Sequence, residues 1–168
     1  RLPQLRKRLR NGAAHLFQLD EQQNLLESIR ADKLNCIIKS LQEIADLKDE
    51  PVKVIKLWFG GLSPLDRREE IYKEFEAKNE IETLEVIGPT NFQDVQGDIA
   101  TKVNAISAKY PEGTVDAIWG SWDELAKGAY KSLVDNKRSD IKLISIDVSN
   151  QDINLMKEKG SQWISTAA

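Results

Sequence analysis

From residue 52 onward the apolar positions alternate between two patterns. Short runs rich in β-branched and large apolar residues occur at 52–59 (VKVIKLWF), 83–88 (TLEVIG), 115–120 (VDAIWG), 141–147 (IKLISID) and 162–167 (QWISTA). Runs of this length, with turn residues at their ends, predict buried strands. Between them, apolar residues recur at helical spacing: Ile71 and Phe75 with Tyr72 alongside, then Ile99, Val103 and Ile106, then Leu125, Ala129 and Leu133, then Ile153 and Met156 before Gly160. Strands alternating with helices predict a mostly parallel sheet of about five strands covered on both faces, a three-layer α/β sandwich.

The turns between strand and helix repeat a cap-like pattern. Ser63-Pro64-Leu65-Asp66, Asn91-Phe92-Gln93-Asp94, Ser121-Trp122-Asp123-Glu124 and Ser149-Asn150-Gln151-Asp152 each begin with a good N-cap residue and place an acid three positions later. That arrangement predicts four helix starts, at 63, 91, 121 and 149. Residues 1–48 differ. They predict helices broken at Asn11-Gly12 and Asp32-Lys33, with at most a short strand at 36–38, so the chain divides into a helical arm over 1–34 and an α/β lobe over 35–168.

Composition narrows the chemistry. The single cysteine, Cys36, excludes an internal disulfide and a cysteine-built zinc site, and the single histidine, His15, leaves no multi-histidine metal centre. Residues 1–10 carry five positive charges and no acid, so a net charge of −3 leaves −8 on the rest (−3 less +5). An acidic body argues against nucleic acid as a partner, and the basic decapeptide is expected to be a solvated terminal helix. With a mean hydropathy of −0.46, no apolar run reaches the roughly 18 residues of a membrane span. No cofactor, metal or catalytic group is expected.

In an open parallel sheet, ligands bind beyond the carboxyl ends of the strands, which is where the cap loops lie. Gly60-Gly61 lacks a phosphate-loop pattern and predicts a tight turn. Asp123 and Asp147 as an acid–base pair is the weaker reading, since an acid in a helix's first turn is already favoured by the dipole. Phe92 and Trp122 place large apolar side chains in loops, where either a flat ligand or local packing must cover them. Trp58, Trp119 and Trp163 lie within strands and are expected in the core. Arg68, near a helix start, opposes the dipole and needs compensation, from a neighbouring Glu or through a role in binding.

At these residues the chain resembles the periplasmic sugar-binding proteins of ABC transporters with the type I fold. The match is strongest over Val115-Asp116-Ala117-Ile118-Trp119-Gly120-Ser121-Trp122-Asp123-Glu124-Leu125-Ala126-Lys127-Gly128-Ala129. It continues through Arg138–Asp147 and the closing Trp163-Ile164-Ser165-Thr166-Ala167-Ala168. The resemblance implies a sugar or polyol ligand, an ABC permease as partner, and a periplasmic or extracellular location with or without a membrane anchor. It assigns ligand contacts to Arg68 (with Arg67 as the alternative), Phe92, Trp122, Asp123, Asp147 and Asn150. Trp122 stands where the family has an Asn, exchanging a hydrogen-bonding group for a stacking face. The resemblance covers about residues 36–168 and only the C-terminal of the family's two lobes. Sugar binding by the isolated chain is therefore expected to be weak, with a homodimer or another polypeptide covering the face of the absent lobe. The alternative is the effector domain of a regulator related to the lactose repressor. A response-regulator-like domain would need an acidic pocket where this chain has Phe59-Gly60-Gly61.

Overall fold

The computed structural model describes the backbone of residues 2–168 and the side chains of residues 21–168. The side chains of the basic decapeptide and of His15 lie outside the described residues. The chain forms two compact units, Arg1–Asn35 and Cys36–Ala168. The first is helical throughout its described part, and α1 runs continuously over Leu2–Ala45. The breaks expected at Asn11-Gly12 and Asp32-Lys33 do not occur, and residues 36–38 are helical, not extended. Gly, Asn and Asp each disfavour a helix by only about 1 kcal/mol or less, and Pro3 sits in the first turn, where proline is tolerated. No helix among the described residues is long and apolar enough to cross a membrane.

The second unit is an all-parallel five-stranded sheet: β1 (Val52–Leu57), β2 (Ile81–Ile87), β3 (Ala117–Gly120), β4 (Lys142–Ile146) and β5 (Trp163–Ala167), in the order β2-β1-β3-β4-β5. Helices α2 (Ser63–Ala77), α3 (Val95–Lys109), α4 (Asp123–Asp135) and α5 (Asn150–Met156) connect them. Successive strand residues serve opposite faces. Ile55, Leu57, Ile118 and Leu143 join Ile99, Val103, Leu125 and Leu133 of α3 and α4 in one core. Val52, Val54, Ala117, Trp119 and Ile144 join Tyr72 and Phe75 of α2 and Ile37, Leu41 and Ile44 of α1 in the other. The three-layer α/β sandwich and all five predicted strands are present, with shifts of one or two residues at most ends.

The helix starts differ more. Only the fourth keeps its predicted cap: the Ser149 side chain accepts from Asp152 N–H while Asp152 accepts from Ser149 N–H, a complete capping box. α2 is capped by Leu62, α3 by Asp94 and α4 by Trp122. Asn91 is instead used within its loop, accepting from Gln93 N–H at 3.1 Å. Ser121 still belongs to the sheet, its N–H donating to Leu57 O at 3.0 Å. Good cap residues also serve elsewhere: Ser63 falls inside α2, one position past its cap, Asn91 closes a turn and Ser121 extends the sheet.

Candidate functional site

The strand order reverses between β1 and β3, whose carboxyl ends therefore sit side by side with no helix crossing between them, the usual ligand crevice of such sheets. The loop after β1 turns sharply. Gly61 has φ of +96°, its N–H donates to Asp66 Oδ1 at 3.1 Å, and the Trp58 indole N–H donates to Leu65 O at 2.9 Å. Gly60-Gly61 is thus a tight strand-to-helix turn. Trp58, expected in the core, is half-buried and ties this loop to α2.

Arg68 lies just past the first turn of α2 and reaches across the crevice. Its Nη1 and Nη2 each donate at 2.8 Å to Asp147, at the carboxyl end of β4, and Nη1 also donates to Ser121 O after β3. The compensation that Arg68 requires comes from a carboxylate 79 positions away and not from a neighbouring Glu. A bidentate guanidinium–carboxylate pair is strong and geometrically specific. The Arg68 side chain is only 14% exposed, whereas that of Asp147 stays 41% exposed, so the carboxylate remains open to solvent while the guanidinium is largely covered. Asp147 has φ of +73°, a left-handed conformation that costs energy in a residue other than glycine and tends to collect at functional sites.

Three aromatic rings lie in the loops that follow β1, β2 and β3 at the same edge of the sheet, one of them, Trp122, next in sequence to the Ser121 that accepts from Arg68. Phe59, after β1, lies 5.3 Å from Phe92 in an edge-on arrangement and 6.3 Å from Trp122 in a tilted one. Phe92 is 63% exposed, while Phe59 and Trp122 are half-buried and rest on the α3/α4 core. The loop that presents Phe92 is pinned by Asp98, whose carboxylate accepts from Lys102, Thr90 N–H and Asn91 N–H. Lys102 first, then the backbone donors, hold the Asp98 carboxyl down at about 2. Phe59 was not among the sequence candidates. Its signal was available, because a large apolar residue just before Gly-Gly at a strand's carboxyl end needs a cover, as Phe92 does.

Asp123 and Asn150 are placed differently. Asp123 is buried and bonds to Lys127 Nζ at 3.0 Å, with Glu124 on the same ammonium and the fully buried Asp152 at 3.5 Å. Burial, with Asp152 nearby, pushes the Asp123 carboxyl up despite Lys127. Asn150 is the exposed first residue of α5. The carboxyl edge of the sheet therefore carries the Arg68–Asp147 pair and the Phe59, Phe92 and Trp122 cluster, while Asp123 is directed into an ion cluster joining α4 and α5 and Asn150 is exposed at the start of α5. Trp119 and Trp163 are in the core as expected, their indole N–H groups donating to Ser40 at 3.3 Å and Ser145 at 3.0 Å. No cluster of three or more metal-ligating side chains occurs among the described residues.

No protein-family model and no curated protein sequence matches the chain. Solved structures do. A sugar ABC transporter protein from Yersinia enterocolitica subsp. enterocolitica 8081 is 45% identical with a TM-score of 0.74, covering 79% of this chain and 40% of its own. A 5-methylthioribose transporter solute binding protein from Thermotoga lettingae TMO is 28% identical with a TM-score of 0.72, covering 80% and 42%. An ABC transporter solute binding protein from Agrobacterium vitis, at 24% identity and a TM-score of 0.65, shares the fold. The chain spans less than half the length of each of these relatives. Residues 36–168 are built as one lobe of the type I periplasmic-binding-protein fold, and the similarity runs to the solute-binding proteins of sugar ABC transporters.

Proposed function

We propose that this lobe supplies one side of a sugar- or polyol-binding site in the solute-binding component of an ABC transporter. The observation that carries the reading is the Arg68–Asp147 pair, which Arg68 also ties to the carbonyl of Ser121 next to Trp122, on the same sheet edge whose loops carry the Phe59, Phe92 and Trp122 cluster. A polyol hydroxyl both donates and accepts. The exposed Asp147 carboxylate accepts from it, the guanidinium N–H groups not spent on Asp147 donate to neighbouring hydroxyls, and the rings cover the C–H face of the ligand. The Yersinia and Thermotoga relatives support this class of ligand, the second having been solved with 5-methylthioribose. Asn150 adds an amide at the rim, and Asp123 serves the site from below by fixing the start of α4.

In this reading the lobe holds a solute without transforming it, hands it to an ABC permease and works in the periplasm or outside the cell, with or without a membrane anchor. One lobe offers one wall, so a second must close on the ligand for tight binding. A second copy of the chain facing the same crevice is one source of such a wall, and sedimentation equilibrium at micromolar protein reads it directly. The structures named above give no support to the regulator alternative.

The test is a thermal-shift screen of neutral sugars and polyols on this chain and on a two-lobed protein containing it. The expected result is a shift with a sugar or polyol in the two-lobed protein, abolished by R68M or W122A, and little shift in the isolated chain. A two-lobed protein that no neutral sugar or polyol stabilises would overturn the proposal, as would submicromolar binding by the monomeric lobe.

A further inference from the structure

Asp147 is the least relaxed residue of the site, and the chain beneath it is organised to hold it. Its N–H donates to Ala167 O at 2.8 Å, and its carbonyl accepts from Thr166 Oγ1 at 2.5 Å, so β5 grips it from both backbone groups. The Thr166 hydroxyl, having given its proton to Asp147 O, accepts from Ser145 Oγ at 2.8 Å, and Ser145 accepts from Trp163 Nε1 at 3.0 Å. The chain is directional. An indole donor with no acceptor capacity starts it, two hydroxyls each accept once and donate once, and the Asp147 carbonyl ends it. Ser145 and Trp163 are buried, and Trp163 packs against Tyr130 of α4, so the origin of the relay is fixed by the core. Hydrogen bonds in series polarise one another, which strengthens the last one.

We propose that Trp163, Ser145 and Thr166 are positioning residues for Asp147: the relay locks its left-handed backbone, and that backbone aims the carboxylate at Arg68 and at the ligand. The ligand half of this inference rests on the function proposed above, whereas the locking half does not. In most backgrounds an aspartate at φ of +73° relaxes toward negative φ, which would swing its side chain off the line to Arg68. The Thr166 hydroxyl makes the left-handed state the one in which the Asp147 carbonyl is satisfied. A valine at 166 keeps the shape and β-branching and removes only the relay's last donor. A serine keeps the donor.

The experiment uses the intact chain and no sugar. A double-mutant cycle of R68M and D147N, read as the urea unfolding constant, measures the Arg68–Asp147 coupling in the parent, T166V and T166S backgrounds. The expected coupling is roughly tenfold in the parent and in T166S, and within about twofold of none in T166V. In parallel, the Trp163 indole N–H resonance, identified by its loss in W163F, moves upfield in T166V although the indole donates to Ser145 and not to Thr166. A bystander threonine would leave both readouts unmoved. Coupling in T166V equal to the parent's, or an unmoved indole resonance, overturns the proposal. If T166V does not fold, S145A breaks the relay one link earlier; reduced coupling there supports the proposal and parental coupling overturns it. Intact locking in a protein that binds no sugar would overturn the proposed function and leave the relay standing.

Discussion

Lys56 is a costly group to bury. It occupies central strand β1, only 4% exposed, on the face otherwise lined by Val52, Val54 and Trp119. Its Nζ lies 3.0 and 2.9 Å from the two oxygens of the buried Glu69 and 4.5 Å from the centre of the Tyr72 ring. Replacing it with Met keeps the volume but leaves a buried carboxylate with one remaining partner among the described residues, Lys73, at 3.6 Å on a side chain 65% exposed. Breaking one side of a buried pair costs about 3–5 kcal/mol, and an exposed i,i+4 lysine returns about 0.3–0.5 kcal/mol. K56M is therefore expected to lose about 3 kcal/mol. At roughly 2–4 °C per kcal/mol for a chain this long, the melting temperature falls by about 6–12 °C. K56M/E69L, which removes both charges and fills the space with apolar atoms, is expected to lie within about 1 kcal/mol of the parent or above it. Urea unfolding followed by circular dichroism measures both, with unchanged m confirming that stability alone has moved. If K56M costs under 1 kcal/mol, or the double variant is as unstable as the single one, Lys56 and Glu69 do not form the pair described. Because Glu69 follows Arg68 directly, the same pair fixes the rotation of α2 that brings Arg68 over the crevice.

Two further outcomes are expected. Asp140, whose two oxygens accept at 2.9 Å from Arg138 and which also takes Gly113 N–H, is held at about 2, chiefly by Arg138. A folded value below the unfolded 3.8 means that its contribution is present above about pH 4 and is lost as pH falls toward 2. Melting curves from pH 7 to pH 2 should therefore show D140N less stable than the parent near neutrality and equal to it at the acid end; a constant gap would refute the assignment. Asp123 works in the opposite sense, since its raised value favours the folded state when protonated and that contribution fades as pH rises through it. Gly128 lies where α3 meets α4, and a Cβ there would stand 2.5 Å from Gln96 O and 3.0 Å from Ile99 Cβ. G128A is accordingly expected to cost about 1–3 kcal/mol in urea unfolding despite the better helix propensity of alanine; a stabilised variant would show that the helices are not so close.

The layered fold was legible because a parallel strand buried on both faces has almost no polar positions. Runs such as 115–120 and 141–147 therefore stand out by composition alone, and regular spacing between them leaves few topologies. The continuous α1 was not legible. Asn11-Gly12 and Asp32-Lys33 are weak breakers, and a helix long enough passes through several weak breakers when no proline intervenes. The caps were misplaced for a related reason. Ser63, Asn91 and Ser121 each satisfy a local pattern, but whether the side chain caps a helix, closes a turn or extends a strand depends on where the neighbouring strand ends. That is fixed by pairing partners tens of residues away, as for Ser121 N–H on Leu57 O.

The site divides along the same line. Phe92, Trp122 and Arg68 could be selected one by one because each is locally expensive, as a large ring in a loop or a cation near a helix start, whereas Asp147 came from the family resemblance together with its place at a strand end. What links Arg68 to Asp147 is pairing at a distance. The partner of Arg68 is 79 positions away, and the Asp147 backbone that makes the pairing possible is held by Thr166, Ser145 and Trp163. None of those three is costly where it stands. A threonine and a tryptophan are ordinary in a strand, and a serine in a buried strand needs only one partner, so the sequence offers no local excess from which a relay could be read. Asp123 shows the converse. The family resemblance assigns it a ligand contact, yet a lysine one turn on and the buried Asp152 draw it into an ion cluster. Local cost therefore identifies which residues need a partner, and only the fold decides whether that partner is the core, another loop or a ligand.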